Sequence, residues 1–415
     1  MRGLEAAVRE VLDRRLLPAS PRPIAVALSG GGDSLALTLL VDAWARDHGR
    51  GLVILTVDHG LRTESAAWTT RCGEIAARLG RPFRALPWEG GKPMTGLPAA
   101  ARGARHRLLA NAAREAGARV ILMGHTADDI AEAHAMRAEG STTPEPREWA
   151  PSPVWPEGRG VFLLRPMLGQ RRADLRAWLK TRAEAWIDDP ANDDPRFARS
   201  RARAAGPAPA IAAAQASPTS ELCRLADDVG GAITIPRRTL RAAGGDAVLR
   251  FVSLACVCAG GGERRPATDR LRRLADALRN SDGDFVATLA GARVEAGEHG
   301  VEIFREAGEF HRRGSPPLNL PVGEEVVWDG RYALTAHATG LSVRPAVDVA
   351  NTLSDDDRGA PPISARRRGG LPAIIQPGGD ARLALCDRPD AAVTVRSLVR
   401  ARLEAAAGLV QREPA

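Results

Sequence analysis

Along the first 140 residues, continuous apolar runs alternate with amphipathic segments, and this alternation constrains the fold more than any other feature of the chain. The apolar runs predict strands covered on both faces, and they lie at residues 24–30, 52–58 and 118–125, with a weaker candidate at 82–88. The intervening segments have helical spacing and lie at 34–47, 64–79, 97–116 and 127–138. The predicted fold class is therefore α/β with a doubly wound parallel sheet.

The rest of the chain divides where the composition shifts. A Pro-rich polar segment at 140–160 is predicted to be a loop or linker, and 171–187 an amphipathic helix. An Ala/Pro-rich stretch then marks a boundary, which ends a first domain at 1–210. Helical patterns predict a mainly helical domain at 211–312, and frequent Gly and Pro between apolar runs predict a small β-rich (α+β) domain at 313–415.

The formal charge of +8 and the sequence pI of about 10.1 favour polyanionic partners. Lys92 and Lys180 are the only lysines, so the positions of the arginines are more informative than the net charge. No run of about 18 apolar residues occurs, which predicts no membrane span. The N-terminal residues alternate apolar and charged side chains and lack the apolar centre of a secretory signal. A cytoplasmic protein is expected.

The five cysteines are scattered and include no Cys-x-x-Cys pair, which argues against a zinc ribbon and a redox-active dithiol. Cys256 and Cys258 lie in an apolar segment and are expected to be buried thiols. No cysteine is expected beside the motifs described next.

The strongest local signal is the hexapeptide Ser29-Gly30-Gly31-Gly32-Asp33-Ser34, between the first predicted strand and the helix that follows it. Consecutive glycines let the backbone approach a phosphate, and N–H groups there and at the helix N-terminus then point at the anion. The serines add hydroxyl donors, and Asp33 can hold a Mg²⁺ ion that bridges phosphates. The spacing fits neither a Walker P-loop nor a Rossmann fingerprint. A Gly-rich turn with a capping serine is the alternative interpretation.

Two further motifs follow other predicted strands. Asp58-His59-Gly60-Leu61-Arg62 follows the second, and Gly124-His125-Thr126-Ala127-Asp128-Asp129-Ile130-Ala131-Glu132 follows the strand at 118–125. Taken alone, each is also compatible with a helix cap and solvated acids. Because the carboxyl ends of parallel strands lie at one edge of a sheet, where such folds bind ligands, the motifs together predict one composite site.

The hexapeptide is similar to the SGGxDS signature of the ATP-pyrophosphatase (PP-loop) superfamily, which has an adenine nucleotide α-hydrolase-like fold and cleaves ATP between its α and β phosphates. VDHGLRxxS with GHxxDDxxE resembles the tRNA(Ile)-lysidine synthetase family, and the resemblance covers about residues 20–205. It continues at 164–168 (LRPML), 189–192 (DPAN) and 197–203 (FARSRAR). The remaining motif positions are Arg62, Arg102, Arg105 and Glu132.

Four positions depart from that family's pattern, although none removes a phosphate-binding group from the hexapeptide. They are His106 where Tyr is usual, Ala133 where Thr is usual, Ala191 for Ser, and Ser200 for Asn.

The resemblance implies a ligase that uses ATP and Mg²⁺ on a tRNA(Ile) with a CAU anticodon. Oxygen 2 of the wobble cytidine attacks the α-phosphate of ATP, which gives an adenylated base and pyrophosphate. The ε-amine of free L-lysine then displaces AMP at carbon 2 and produces lysidine. The oligomeric state is left open, with a homodimer as one alternative.

The resemblance also implies roles for the motif residues. The residues expected to contact ATP are Ser29, Gly30, Gly31, Gly32, Asp33, Ser34, Asp58, His59 and His125. The candidate catalytic acids are Asp33, Asp128 and Asp129. Asp33 and Asp129 are also the candidate ligands of Mg²⁺ or of the lysine amine, and Asp128 is expected to border the nucleotide.

A cationic cluster follows in the chain, where four arginines fall within eight residues: Arg196, Arg199, Arg201 and Arg203. With the resemblance we interpret the cluster as a tRNA phosphate contact, and a solvated basic helix is the alternative.

Two other functions are alternatives to the ligase. Thiolation of tRNA on the same fold needs a suitably placed or paired cysteine, and a tRNA-binding protein with a degenerate nucleotide site would not need the intact hexapeptide and acids.

Overall fold

The computed structural model describes residues 2–138, 145–155, 158–188, 218–359, 363–388 and 390–415. The chain forms two compact units. Unit 1 comprises Met1–Ala214 and Val410–Ala415, and unit 2 comprises Gln215–Leu409. Among the described residues no helix is both long and apolar enough to cross a bilayer.

Unit 1 is built on a six-stranded sheet. Its strands are β1 (Ile24–Ala27), β2 (Leu52–Asp58), β3 (Phe83–Pro87), β4 (Val120–Leu122), β5 (Trp149–Pro151) and β6 (Phe162–Leu164). Its helices are α1 (Arg2–Arg15), α2 (Gly32–Asp47), α3 (Ser65–Leu79), α4 (Leu97–Glu115), α5 (Ala127–Ala138) and α6 (Arg172–Lys180). The strand order is β3-β2-β1-β4-β6-β5, and every neighbouring pair is parallel except β5 with β6. The predicted fold class is confirmed.

The chain order of the strands reverses between β1 and β4, which are neighbours in the sheet. Alternate residues of β1 enter different cores, because side chains on a strand point to opposite faces. Ile24 and Val26 pack in a core that also contains residues of α1, α2, α3 and α6, whereas Ala25 packs with Leu109 and Ala113 of α4. Helices therefore cover both faces of the sheet, and the crevice at the β1–β4 switch point is where this fold binds ligands.

The structure differs from prediction at two places in unit 1. The segment predicted as a loop at 140–160 contains β5, and β6 follows it; each strand is only three residues long, so its apolar run is too short to stand out. The helix predicted at 171–187 ends at Lys180. The chain turns there through Ala183, which has a left-handed φ of 54°, and 184–188 run on without helical structure.

The described residues of unit 2 form three antiparallel sheets. The five-stranded sheet has the order β7-β8-β11-β10-β9, from β7 (Asp227–Val229), β8 (Ala232–Pro236), β9 (Phe285–Leu289), β10 (Ala292–Ala296) and β11 (Gly300–Arg305). The other two sheets are formed by β12 (Leu318–Asn319), β13 (Glu325–Trp328), β14 (Tyr332–Ala336), β15 (Ser342–Pro345), β16 (Pro372–Ile375), β17 (Ala381–Leu383) and β18 (Val393–Ser397). The helices are α7 (Pro218–Leu225), α8 (Arg237–Ala242), α9 (Gly245–Ala259), α10 (Thr268–Asn280), α11 (Gly308–Arg313), α12 (Asp355–Gly359), α13 (Ala365–Arg368) and α14 (Val399–Ala406).

The segment 211–312, predicted to be mainly helical, carries the five-stranded sheet beside its helices. Strand β10 alternates buried and half-buried residues over only five positions, a pattern too short to outweigh the neighbouring helical stripes. Val399 and Leu403 of α14 pack in the same core as these strands, although they lie near the end of the chain. The separate domain predicted at 313–415 stays a prediction.

Candidate active site

The predicted anion loop lies at the switch point, with α2 beginning inside it at Gly32. Gly30 has a left-handed φ of 85°, which favours glycine. The loop is closed by Ser34, whose hydroxyl accepts from the Ser29 N–H (3.1 Å) and donates to the Gly31 carbonyl (2.9 Å). The first N–H groups of a helix have no acceptor within the helix, so this loop can receive a phosphate.

Gly124 brings the motif after β4 against this loop. A Cβ atom at Gly124 would lie 3.0 Å from the Cα and N of Ser34 and 3.1 Å from the carbonyl carbon of Asp33. Only glycine allows that approach without a shift of backbone. The loop after β1 and the residues from His125 to Glu132 therefore form one site.

Three carboxylates of this site converge on Arg172, the first residue of α6. The Arg172 guanidinium lies 2.8 Å from Asp33, 3.1 Å from Glu132 and 3.7 Å from Asp129. We call these four residues the acid cluster. Three carboxylates and one guanidinium leave a formal charge of −2, so the cluster can accept a further cation.

Burial raises the pKa of Asp33 above its ordinary value, and the hydrogen bond and charge of Arg172 oppose that rise. Burial lowers the pKa of Arg172, but its hydrogen bond to Asp33 and the three negative charges outweigh this effect and raise it overall. The other carboxylate oxygen of Asp33, Oδ1, is buried without a hydrogen-bond partner among the described residues. An oxygen of that kind suits a cation that arrives with the substrate.

The two adjacent aspartates of α5 also organise the local backbone. Asp129 accepts hydrogen bonds from the N–H (2.8 Å) and hydroxyl (3.0 Å) of Thr126, and its own N–H donates to the Thr126 carbonyl (3.1 Å). The bond from the Thr126 N–H to the Asp129 side chain is one half of a capping box at the start of α5. Asp128 accepts from the backbone N–H of Arg172 at 2.8 Å, which holds the start of α6 in place.

Next to the acid cluster lies a group of basic side chains. Arg165, directly after β6, is only 5% exposed and donates from Nε to His125 Nδ1 at 3.1 Å. Because a guanidinium is only a donor, His125 Nδ1 must be the acceptor and its proton sits on Nε2. Burial, with the charges of Arg102 and Arg105, lowers the pKa of Arg165 to about 10.

His106, at the position where the family usually has Tyr, is buried in α4 beside these arginines. Neither of its ring nitrogens has a hydrogen-bond partner among the described residues, and the side chain is 3% exposed. Burial, reinforced by Arg105, Arg102, Arg165 and His125, lowers the pKa of His106 to about 2. The ring is therefore neutral at neutral pH.

Acid should destabilise unit 1 through His106. Its folded-state pKa lies below the ordinary value of 6.5, so the stability from the neutral ring is present above pH 6.5 and is lost as the pH falls. Between pH 7.5 and 4.5 we expect this residue to cost about 2–3 kcal/mol of unfolding free energy. Denaturant titrations at both pH values give the loss of unfolding free energy in acid for wild type and for His106→Phe. The difference between these two losses is the contribution of His106. His134→Gln, at a half-exposed histidine, is the control; equal losses in wild type and His106→Phe would contradict the prediction.

The motif after β2 lies at the same edge of the sheet. Asp58 ends β2 and accepts the Gly60 N–H at 2.8 Å, which shapes the turn. Burial and the charge of Arg105 lower the pKa of His59, so this ring is close to α4. Arg62 is exposed, and its role in the site stays a prediction.

The segment after α6 packs on the anion loop. This contact was not predicted from the sequence. The Ile187 N–H donates to the Gly30 carbonyl at 3.0 Å, and a Cβ at Gly30 would lie 2.5 Å from Ile187 Cδ1. Trp186 packs against Gly32, 3.4 Å from the Cβ position. Because these glycines have no side chains, the loop has room for Ile187 and Trp186 as well as for an anion.

The expectation that no cysteine lies beside the motifs is wrong, because Cys72 of α3 lies 3.5 Å from the Cβ position of Gly30. It is a distant residue in the chain that the packing of α3 brings to the loop. Cys72 is fully buried, and burial raises its pKa, which disfavours the reactive thiolate. Cys256 and Cys258 are buried, as predicted.

Sequence reasoning missed Arg172 and gave no role to Arg165. Both follow β6, whose carboxyl end lies at the ligand edge because β6 is parallel to β4. The apolar run at 161–164 was the available signal. Two predicted sets lie outside the described residues. They are the predicted tRNA contact, which comprises Arg196, Arg199, Arg201 and Arg203, and the departures Ala191 and Ser200.

Comparison with known proteins agrees with the fold and motifs. Residues 4–206 match the family model described as a PP-loop domain. The tRNA(Ile)-lysidine synthase of Caulobacter vibrioides is 48% identical over 412 residues, 98% of each chain. Those of Hyphomonas neptunium and Rhizobium meliloti are 37% and 35% identical, over 74% and 89% of this chain and 86% of each relative.

Identity above 30% over almost the full length of a relative extends beyond the motifs into unit 2. The matched residues 4–206 span the anion loop at the switch point and the acids of α5. The chain belongs to the tRNA(Ile)-lysidine synthase family.

Proposed function

We propose that this chain ligates lysine to carbon 2 of the wobble cytidine of tRNA(Ile), consuming ATP and releasing AMP and pyrophosphate. The observation that carries the proposal is the position of Asp33, which belongs both to the anion loop and to the acid cluster. One residue thus joins a phosphate-binding element to a group that accepts cations. Cytidine oxygen 2 attacks the α-phosphate of ATP as pyrophosphate leaves, and the lysine ε-amine then displaces AMP at carbon 2.

The loop Ser29–Ser34 would receive the departing pyrophosphate through backbone N–H groups and the N-terminus of α2. His125, with its proton on Nε2, offers a neutral donor at the same edge of the sheet. Fixed donors of this kind stabilise developing negative charge without reorganising during the reaction. ATP contacts by Asp58 and His59 are part of the same proposal.

Mg²⁺ fits the buried oxygen of Asp33, since this ion usually takes one or two protein carboxylates and completes its shell with phosphates and water. Among the described residues no group of three or more His, Cys, Asp or Glu side chains could hold a metal. We therefore propose that Asp33 and Asp129 share the ion with the substrate. When bound, Mg²⁺ would neutralise charge on the leaving pyrophosphate.

The acid cluster also suits the second step, in which the lysine amine must lose protons as the C–N bond forms. A carboxylate of the acid cluster can accept a proton from the amine as a general base. Asp129 and Glu132 supply negative charge that attracts the ammonium form of the incoming side chain. Asp128 acts indirectly, because it accepts a hydrogen bond from the Arg172 backbone N–H and so positions the start of α6.

The arginines at 196–203 are proposed to contact tRNA phosphates. Replacing Arg199 and Arg203 with Ala should raise the KM for tRNA and reduce the slope of log KM against log salt by about 2. Steady-state kinetics over a salt series measures both quantities, with Arg107→Ala on an exposed face of α4 as the control. An unchanged slope would contradict the proposal, because it would mean that these arginines face solvent and do not contact tRNA phosphates.

Incubation of the protein with a CAU-anticodon tRNA(Ile) transcript, ATP-Mg²⁺ and labelled lysine tests the proposal. We expect lysine incorporation with matching release of AMP and pyrophosphate. No AMP release would favour a tRNA-binding protein with a degenerate site, and dependence on a sulfur donor would favour thiolation. Since the substrate is a tRNA, a cytoplasmic location is part of the proposal; a homodimer stays a prediction.

A further inference from the structure

A short segment near the end of the chain packs within unit 1, although the residues before it belong to unit 2. We call residues 410–413 the strap. Its main-chain carbonyls accept hydrogen bonds from β5 and from α1. Trp149 Nε1 donates to the Val410 carbonyl at 2.8 Å, and Arg15 Nη1 donates to the Gln411 carbonyl at 2.6 Å. The reaction steps described so far give these contacts no role.

A buried ion pair anchors the strap. The Glu413 carboxylate lies 2.9 Å from the Arg50 guanidinium, and each side chain is only 1% exposed. The same carboxylate accepts the Leu17 N–H at 2.9 Å, and the Glu413 N–H donates to the Arg15 carbonyl at 2.8 Å. Separation of this pair would leave an uncompensated charge in the interior, which is costly. The strap therefore stays bound to unit 1.

The strap holds the segment that carries β5. This strand lies at the edge of the sheet and spans three residues, so its ladder with β6 supplies few hydrogen bonds. Besides the bond from Trp149 to the strap, Arg15 pairs with Glu148 at 2.9 Å. The Trp149 ring stacks on Phe162 of β6, with ring centroids 4.9 Å apart and planes inclined by 5°. The position of residues 147–149 therefore depends on the strap.

The same segment positions Arg165. The Arg165 N–H donates to the Glu148 carbonyl at 2.8 Å, and its Nη1 donates to the Arg147 carbonyl at 2.7 Å. Its Nε donates to His125 Nδ1 at 3.1 Å, which keeps the histidine proton on Nε2. A continuous series of contacts therefore runs from the strap to His125.

We propose that the strap is a positioning element for the reaction: it fixes residues 147–149, these fix Arg165, and Arg165 fixes the ring and tautomer of His125. The inference rests on the proposed function, which makes His125 a neutral donor at the ligand edge. Such a donor stabilises developing charge only when its direction is set beforehand, so a small displacement of the ring lowers the rate. Only residues 407–409 separate the strap from α14, so the chain of unit 2 leads directly into this support.

Trp149→Phe in the full chain tests the positioning role, because it keeps an aromatic ring against Phe162 but removes the donor to the strap. Single-turnover release of pyrophosphate with tRNA and ATP-Mg²⁺ should slow by about tenfold, and the KM for lysine should not change. Glu413→Gln, which weakens the anchor, should slow the same step. Trp44→Phe is the matched control and should keep the wild-type rate. It removes another indole donor of unit 1, from Trp44 Nε1 to Asp13 at 2.6 Å, at a buried position.

A double-mutant cycle separates positioning from a general loss of stability. In a His125→Ala background, Trp149→Phe should change the rate by less than about twofold, because the group through which the strap acts is gone. The histidine ring gives a second readout. NMR spectra of ¹⁵N-histidine-labelled protein should show His125 protonated at Nε2 in wild type and as a mixture of tautomers in Trp149→Phe. The spectrum of His125→Ala identifies its signals among those of the eight histidines.

A wild-type rate in Trp149→Phe would overturn the inference. So would a His125 tautomer identical to that of wild type, or losses that multiply in the double variant, because the strap would then act by a route other than His125. These results leave the proposed function intact. The NMR readout needs no substrate, so it tests the strap even if wild type formed no lysine adduct, which would be the failure of the proposed function.

Discussion

Asp33→Asn is expected to reduce lysine-dependent AMP formation by roughly 10³-fold. The substitution keeps the shape of the side chain but removes the charge that pairs with Arg172 at 2.8 Å and that would hold a cation at the pyrophosphate. Single-turnover release of AMP and pyrophosphate measures the loss. Because the first step already needs this charge, pyrophosphate release should fall even when lysine is absent.

Asp47→Asn, at the exposed end of the same helix, is the matched control and should keep wild-type rates. Circular dichroism should show the same helix content in both variants. An Asp33→Asn protein with more than about a tenth of wild-type activity would refute the charge-based role. The neutral amide would then replace the charged carboxylate with little loss of rate.

Replacing Arg172 with Gln is expected to affect activity and stability together. Removal of the guanidinium takes away the cation that Asp33, Asp129 and Glu132 share, so the unfolding free energy should fall by about 3 kcal/mol. Without Arg172, whose hydrogen bond and charge lower it, the pKa of Asp33 rises further. Activity that needs ionised carboxylates should then be lost at a higher pH than in wild type, and the acid limb of the pH–rate profile should move upward.

Denaturant titration and pH–rate profiles measure these two effects separately. Arg171→Gln is the control, because Arg171 is exposed and directly precedes Arg172. Arg172→Lys should recover part of the stability, since one ammonium cannot reach all three carboxylates as the guanidinium does. A pH profile that coincides with wild type would show that Arg172 only supports the fold.

Much of the fold of unit 1 could be predicted because its elements are long and strongly patterned. Strand β2 has the predicted bounds, and α2, α3, α4 and α5 agree with prediction to within about two residues. The failures are short or irregular: β5 and β6 span three residues each, and α6 stops where Ala183 adopts a left-handed conformation. Patterns of apolar residues carry little information over such lengths.

The sequence by itself determined the doubly wound sheet, the anion loop between β1 and α2, and the presence of acids after β4. Those features depend on local spacing and turn chemistry, so neighbouring residues are enough to encode them. Only the tertiary structure decided that Arg172 pairs with Asp33 across 139 residues, that Ile187 covers Gly30, and that Cys72 lies beside the loop. Contacts of that kind depend on which helix packs against which strand, and no local pattern records the partner.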